Sequence, residues 1–85
     1  MEYMELHSKY LKAAQDYAKM WNITDEHVIQ IMMSVMLHRD GIRTGGGFVQ
    51  SVVDNNLDQA VSRADDTCLK YLRQIVAAKH NCHVR

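Results

Sequence analysis

Two groups of residues have the chemistry to hold a phosphate. Gly45-Gly46-Gly47 runs into Phe48-Val49, which reads as a flexible turn feeding a helix N-terminus, where unpaired backbone N–H groups can hold an anion. Arg63 offers a planar guanidinium fork suited to two parallel hydrogen bonds with phosphate. It lies about four helical turns beyond the glycines, so an anion held by both requires the chain to fold back or a second subunit to contribute. Taken alone, the glycines read as a connector between antiparallel helices, because the Walker spacing with its Lys-Ser/Thr is missing. Arg63 alone reads as an exposed helix arginine pairing with Asp66 or Gln59. Asp65 and Asp66 could position the fork or accept from base amino groups, although adjacent acids on a helix are usually solvated.

A second set lies near the start of the chain. Tyr3, Tyr10, Tyr17 and Trp21 share one stripe, with His7 beside Tyr10 and Lys9, Lys12 and Lys19 nearby. Rings near lysines suit base stacking combined with phosphate pairing; the simpler reading is core or subunit contact, with lysines that only solubilise. Thr24 reads as a helix N-cap. His80-Asn81-Cys82-His83 supplies metal-ligand residue types, but a structural zinc site needs about four ligands in tetrahedral geometry and this tail crowds three together. No metal site or cofactor is expected. No catalytic residues are expected either: no serine or cysteine has a base at a recognisable spacing, and no His-x-Ser/Thr pair occurs. His27 and His38 read as structural.

The elements that must position these residues are helices. Apolar residues recur at three and four, strand-like alternation is absent, and the chain has no proline. Residues 1–22 form an amphipathic first helix through Tyr3, Leu6, Tyr10, Ala13, Ala14, Tyr17 and Trp21. Residues 24–39 form a second, started by Thr24 with Asp25 and Glu26 at the positive end of its dipole. Val28, Ile31, Met32 and Val35 are its main buried face, and Ile29, Met33, Met36 and Leu37 widen that face until most sides need cover. Asp40-Gly41 stops it. Residues 48–78 form the next arm, interrupted or kinked at Asn55-Asn56, with Asn56 and Gln59 resembling a capping box. Its stripe runs through Leu57, Ala60, Val61, Ala64, Cys68, Leu72 and Ile75. The polar tail, residues 79–85, is expected to fray. The expected fold is all-α: one domain over 1–85, with a short N-terminal helix and a long antiparallel helical hairpin.

Composition narrows the function. A chain of 85 residues buries only about 60 to 65 per cent of its unfolded surface, so oligomerisation is the expected supplement to its core. Ten basic and ten acidic residues cancel, which argues against a broad basic face gripping DNA or RNA. A compact ligand with two or three phosphates needs only a few local cations. Met-Glu-Tyr-Met-Glu has no apolar core of a secretory signal. The most apolar run, Val28 to Leu37, contains Gln30 and Ser34 and is too short to span a membrane. Two cysteines outside any Cys-x-x-Cys pattern fit a soluble, reducing, intracellular setting.

The run Thr44-Gly45-Gly46-Gly47-Phe48-Val49-Gln50-Ser51-Val52-Val53, then Asn55-Asn56-Leu57, then Arg63-Ala64-Asp65, resembles the helical-hairpin phage sponge proteins. Those proteins counter cyclic-oligonucleotide-based immunity (CBASS), and a related hairpin occurs in the anti-Thoeris sponges. The resemblance covers about a third of the chain, from Thr44 to Leu72. It implies a homo-oligomer, a hexamer, in the host cytoplasm, that sequesters cyclic dinucleotides and cyclic trinucleotides without cleaving them. It further implies trinucleotide binding at a three-fold junction where Arg63 faces phosphate, with Thr24, Gly45 and Gly46 completing the site. Cyclic dinucleotides would sit between two subunits, using an aromatic and a lysine from the N-terminal region; Tyr10 and Lys19, with His7, are the residues whose types fit. Asn56 stands where the family pattern has aspartate, which keeps the capping chemistry and removes a charge. The rival expectation is a helical oligomeric interaction module with no nucleotide ligand, built on Met32, Met33 and Met36 as an adaptable apolar surface.

Overall fold

The computed structural model describes residues 3–84, and these are all-helical. In chain order the helices are α1 (Tyr3–Met20), α2 (Glu26–Arg39), α3 (Gly47–Val53), α4 (Leu57–Arg63), α5 (Asp66–Lys70) and α6 (Leu72–Asn81). The expected second arm, 48–78, is broken at Asn55-Asn56 as its sequence suggests, and again at Ala64-Asp65 and at Tyr71, giving four helical pieces.

Three of the helix ends share one device. Asn22, Gly41 and Asn55 have φ of +57°, +75° and +60°. Each is the left-handed residue that closes a Schellman motif, the following amide bonding five residues back: Ile23 to Ala18, Ile42 to Leu37 and Asn56 to Ser51. Asparagine tolerates this region better than other residues with a Cβ, which explains why Asn22 and Asn55 can stand where glycine is usual. Ile23 is then buried beside Ala18, the apolar contact that accompanies the motif.

The starts of α2, α4 and α5 are set by side-chain oxygens. Asp25, not Thr24, caps α2, its Oδ1 accepting from the amides of His27 and Val28. Asn56 caps α4 by accepting from Gln59. Asp65 caps α5 by accepting from Cys68 at 2.7 Å, so the chain breaks at Ala64-Asp65, where apolar spacing alone runs on unbroken.

The core is built around α2, which packs against α1, α3 and α6. Val28, Met32, Val35, Met36 and Leu37 are fully buried, as the width of the apolar face requires. Ala14 and Ala18, whose methyl side chains are too small to hold the helices apart, let α1 lie close to α2. Met33 is also buried, at 1 % exposure. These three α2 methionines, Met32, Met33 and Met36, are packing, and they are not the adaptable surface that the interaction-module expectation needs.

The end of the chain is docked through Cys82 rather than frayed. Helix α6 runs to Asn81, and Arg39 Nη1 donates to the carbonyls of Lys79 at 2.8 Å and Cys82 at 2.6 Å. Lys79 is buried, and its ammonium donates to Val52 O at 2.9 Å and to Asn55 Oδ1. That places a cation on the carbonyl end of α3, where the helix dipole favours it. Cys82 Sγ reaches Ala13 O at 3.7 Å, tying the tail to α1.

No helix among the described residues is long and apolar enough to cross a membrane.

Candidate functional site

The glycine turn is held, not loose. Gly45 N donates to His38 Nδ1 at 3.0 Å, Gly45 O accepts from Gln50 Nε2 at 2.8 Å, and Arg43 Nη2 donates to Ser34 Oγ at 2.6 Å. The Gly45 amide is thus committed to α2, which corrects its expected role as an open anion-binding group. A Cβ at Gly45 would run into the Val49 side chain, whereas Gly46 faces open space. Gly46 is the N-cap of α3 and has no side chain with which to cap it.

Arg63 comes back to this turn within a single chain. A Cβ on Gly47 would collide with Arg63 Nη1 and lie 3.1 Å from its Cδ. The guanidinium therefore lies against the first residue of α3. Gln59 Oε1 accepts from Arg63 Nε at 3.0 Å. That is one of the two pairings the residue types suggest; the other, with Asp66, does not form. Among the described residues no carboxylate pairs with Arg63. A guanidinium beside the amino end of a helix sets like polarity against like, and an anion placed between them would relieve it.

Thr24 lines a surface hollow with Lys12, Gln15, Lys19 and Glu26, and the lining of that hollow includes neither Arg63 nor the glycine turn. His27, in the first turn of α2, meets Asp65 across a 2.8 Å Nε2–Oδ2 hydrogen bond. No family model, curated protein or solved structure matches this chain.

The N-terminal set separates. Tyr10 is 5 % exposed and its hydroxyl donates to Asp40 Oδ2 at 2.7 Å. Burial first, and then the Asp40 carboxylate, push its phenol up to about 12. Its ring is core and cannot serve as a stacking platform, because a residue within a continuous apolar stripe is drawn inward. His7 is half-buried on α1. Lys19 is exposed and shares a surface depression with Thr24, Lys12, Gln15 and Glu26, so one residue expected for dinucleotides and one expected for trinucleotides line the same hollow. Tyr17 and Trp21, with ring centroids 6.5 Å apart, are the more accessible aromatics; Trp21 is 40 % exposed.

Two titratable residues acquire partners that their sequence spacing does not announce. Asp65 is held below the usual carboxylate range, mainly by the Cys68 amide and thiol, with His27 contributing less. The Cys68 thiol is pushed up to about 12, by burial first and the Asp65 carboxylate second. His27 presents the same nitrogen to Asp65 and to Cys68, so these three residues are not strung as a nucleophile–base–acid relay. The one legible signal was Asp65 itself, an N-cap residue type three positions before a buried cysteine.

Proposed function

We propose that this chain binds and sequesters cyclic dinucleotides and cyclic trinucleotides without cleaving them, as a phage protein that denies CBASS effectors their signal in the host cytoplasm. The observation that carries the reading is Arg63: an exposed guanidinium, held by Gln59 against Gly47, with no carboxylate partner among the described residues. The resemblance of Thr44 to Asp65 to the sponge proteins supplies the ligand class. Gly46 adjoins the Gly47 contact in sequence; Thr24 enters the reading through the resemblance alone, and Lys19, which lines the same hollow as Thr24, is the cation offered to a dinucleotide.

One copy of Arg63 gives a single charge to a ligand with three phosphates. Three copies around an axis give three, so the proposal includes a homo-oligomer, a hexamer in which hairpin-like units meet at three-fold junctions. Leu57 and Val61 on α4 and Leu69 on α5 are exposed at 66 %, 44 % and 48 %. Such side chains flanking Arg63 in sequence are suited to cover by other copies.

Purified protein is mixed with cyclic triadenylate or cyclic GMP–AMP, separated from free ligand and heated. The expected result is intact ligand recovered from the protein fraction. Cleaved product, or no retention of either ligand, overturns the reading. Arg63→Ala is expected to lose trinucleotide binding while keeping helicity, assembly and dinucleotide binding; loss of all together would make Arg63 structural.

A further inference from the structure

Three ligating atoms of different chemistry converge where α2 begins and α5 begins. His27 Nε2 lies 2.8 Å from Asp65 Oδ2 and 3.7 Å from Cys68 Sγ, and the three ligand atoms all fall within 4.8 Å of one another. We propose that His27, Asp65 and Cys68 bind a zinc-class divalent cation, independently of the nucleotide reading.

The geometry is close to what one ion requires. With metal–nitrogen, metal–oxygen and metal–sulfur bonds of about 2.0 to 2.3 Å, two ligands at a tetrahedral ion stand about 3.4 to 3.6 Å apart. The nitrogen–sulfur separation, at 3.7 Å, lies just above that range, and the oxygen–sulfur separation is no more than 4.8 Å. The nitrogen–oxygen separation is shorter because a hydrogen bond now spans it, and a small carboxylate rotation opens it once a metal replaces the proton. The backbone supports that movement: Asp65 Oδ1 is pinned by the Cys68 amide at 2.7 Å, leaving Oδ2 as the oxygen turned toward His27. Such a hydrogen bond to the non-ligating oxygen is the usual way a ligating carboxylate is oriented.

The donor set selects the ion. Thiolate with imidazole suits zinc, or cobalt in its place, and is poor for magnesium or calcium, which take oxygen ligands. Binding displaces the thiol proton to solvent and uses the His27 tautomer with its proton on Nδ1. One thiolate and one carboxylate then balance the two charges of the ion. Three protein ligands leave a fourth position for water or another oxygen donor. Cys68 is buried, but His27 and Asp65 have side chains 51 % and 56 % exposed, so an ion can enter from their side. The site is invisible in the sequence because His27 and Asp65 are 38 residues apart.

The test titrates the metal-free protein with cobalt(II) and then competes with zinc(II). Expected is saturable binding of about one ion per chain, with the sulfur-to-metal charge-transfer absorption and strong visible bands of a tetrahedral site. Cys68→Ser should remove the charge-transfer band, and His27→Ala and Asp65→Asn should each weaken binding by about tenfold or more. Asparagine retains the capping oxygen of α5, and His27 is exposed, so these two variants decide the matter even if the cysteine variant misfolds. Cys82→Ser should leave the band unchanged. The proposal is overturned by absence of saturable binding, by wild-type affinity in His27→Ala, or by a band that follows Cys82, which would place the metal in the His80 to His83 tail.

Discussion

Replacing Arg39 by methionine keeps most of the apolar stem and removes the guanidinium fork that joins the end of α2 to the end of α6. The Arg39 side chain is 16 % exposed; Nη1 reaches the carbonyls of Lys79 and Cys82, while Nε and Nη2 hold Asp40 at 2.8 and 3.0 Å. A hydrogen bond from a charged donor to a shielded carbonyl contributes about 1.5 to 3 kcal/mol. Two such bonds from one nitrogen do not add fully, and the more exposed Asp40 pair adds no more than about 1 kcal/mol. The expected loss is about 3 kcal/mol, against a total stability of about 4 to 13 kcal/mol for a domain of this length. Tm should fall by about 12 °C or more. Urea unfolding followed by far-ultraviolet circular dichroism measures the loss, and amide hydrogen exchange locates it at residues 79–84. Arg39→Lys should recover less than half, since an ammonium has no fork to span both carbonyls and Asp40. A loss below about 0.5 kcal/mol, or unchanged exchange at 79–84, would refute the view that Arg39 docks the tail.

Capping separates two neighbouring residues. Asp25→Ala should cost about 1 kcal/mol in urea unfolding, while Thr24→Ala should stay within about 0.5 kcal/mol, so any ligand-binding defect in the latter is a defect of contact. Substituting the glycines by alanine should give three outcomes. The Gly45 variant loses about 1 to 3 kcal/mol by collision with Val49, the Gly46 variant stays within about 0.5 kcal/mol, and the Gly47 variant keeps its fold but displaces Arg63 and weakens trinucleotide retention. Asp40 is held below its ordinary value chiefly by the Arg39 hydrogen bond, with Tyr10 adding to it against burial. A lowered folded-state value means that this stabilisation is complete above the unfolded carboxyl pKa of about 3.9 and disappears as pH falls below it. Asp40→Asn should therefore flatten the acid limb of stability against pH, without abolishing it, because Asp65 is lowered too.

Apolar spacing marks α1 and α2 well because α1 presents one face, and α2 most of its surface, to one core over several turns. Tyr10 lies on the α1 stripe, and membership of that stripe draws its ring inward rather than toward a ligand. Spacing failed beyond Asn56 for a definite reason. Leu57, Ala60, Ala64 and Cys68 keep helical period across Ala64-Asp65, yet the Asp65 carboxylate competes for the Cys68 amide and starts a new helix there. The approach of Arg63 to Gly47, and of His27 to Asp65 and Cys68, depends on that break, and no local pattern encodes it. The tail looked polar enough to fray because its anchors, Arg39 and Asn55, are distant in sequence.

Helices α3, α4 and α5 have seven, seven and five residues, well short of the length at which a helix persists by itself in water. None of them can outlast its neighbours. Residues 47–70 should consequently open and close as one unit, with exchange of their amides governed by contact with α2 and by the Lys79 tether to Val52 and Asn55. Arg63 sits inside that unit, so whatever loosens any part of it releases the guanidinium from Gly47 as well, and whatever ligand engages Arg63 slows exchange throughout the whole segment.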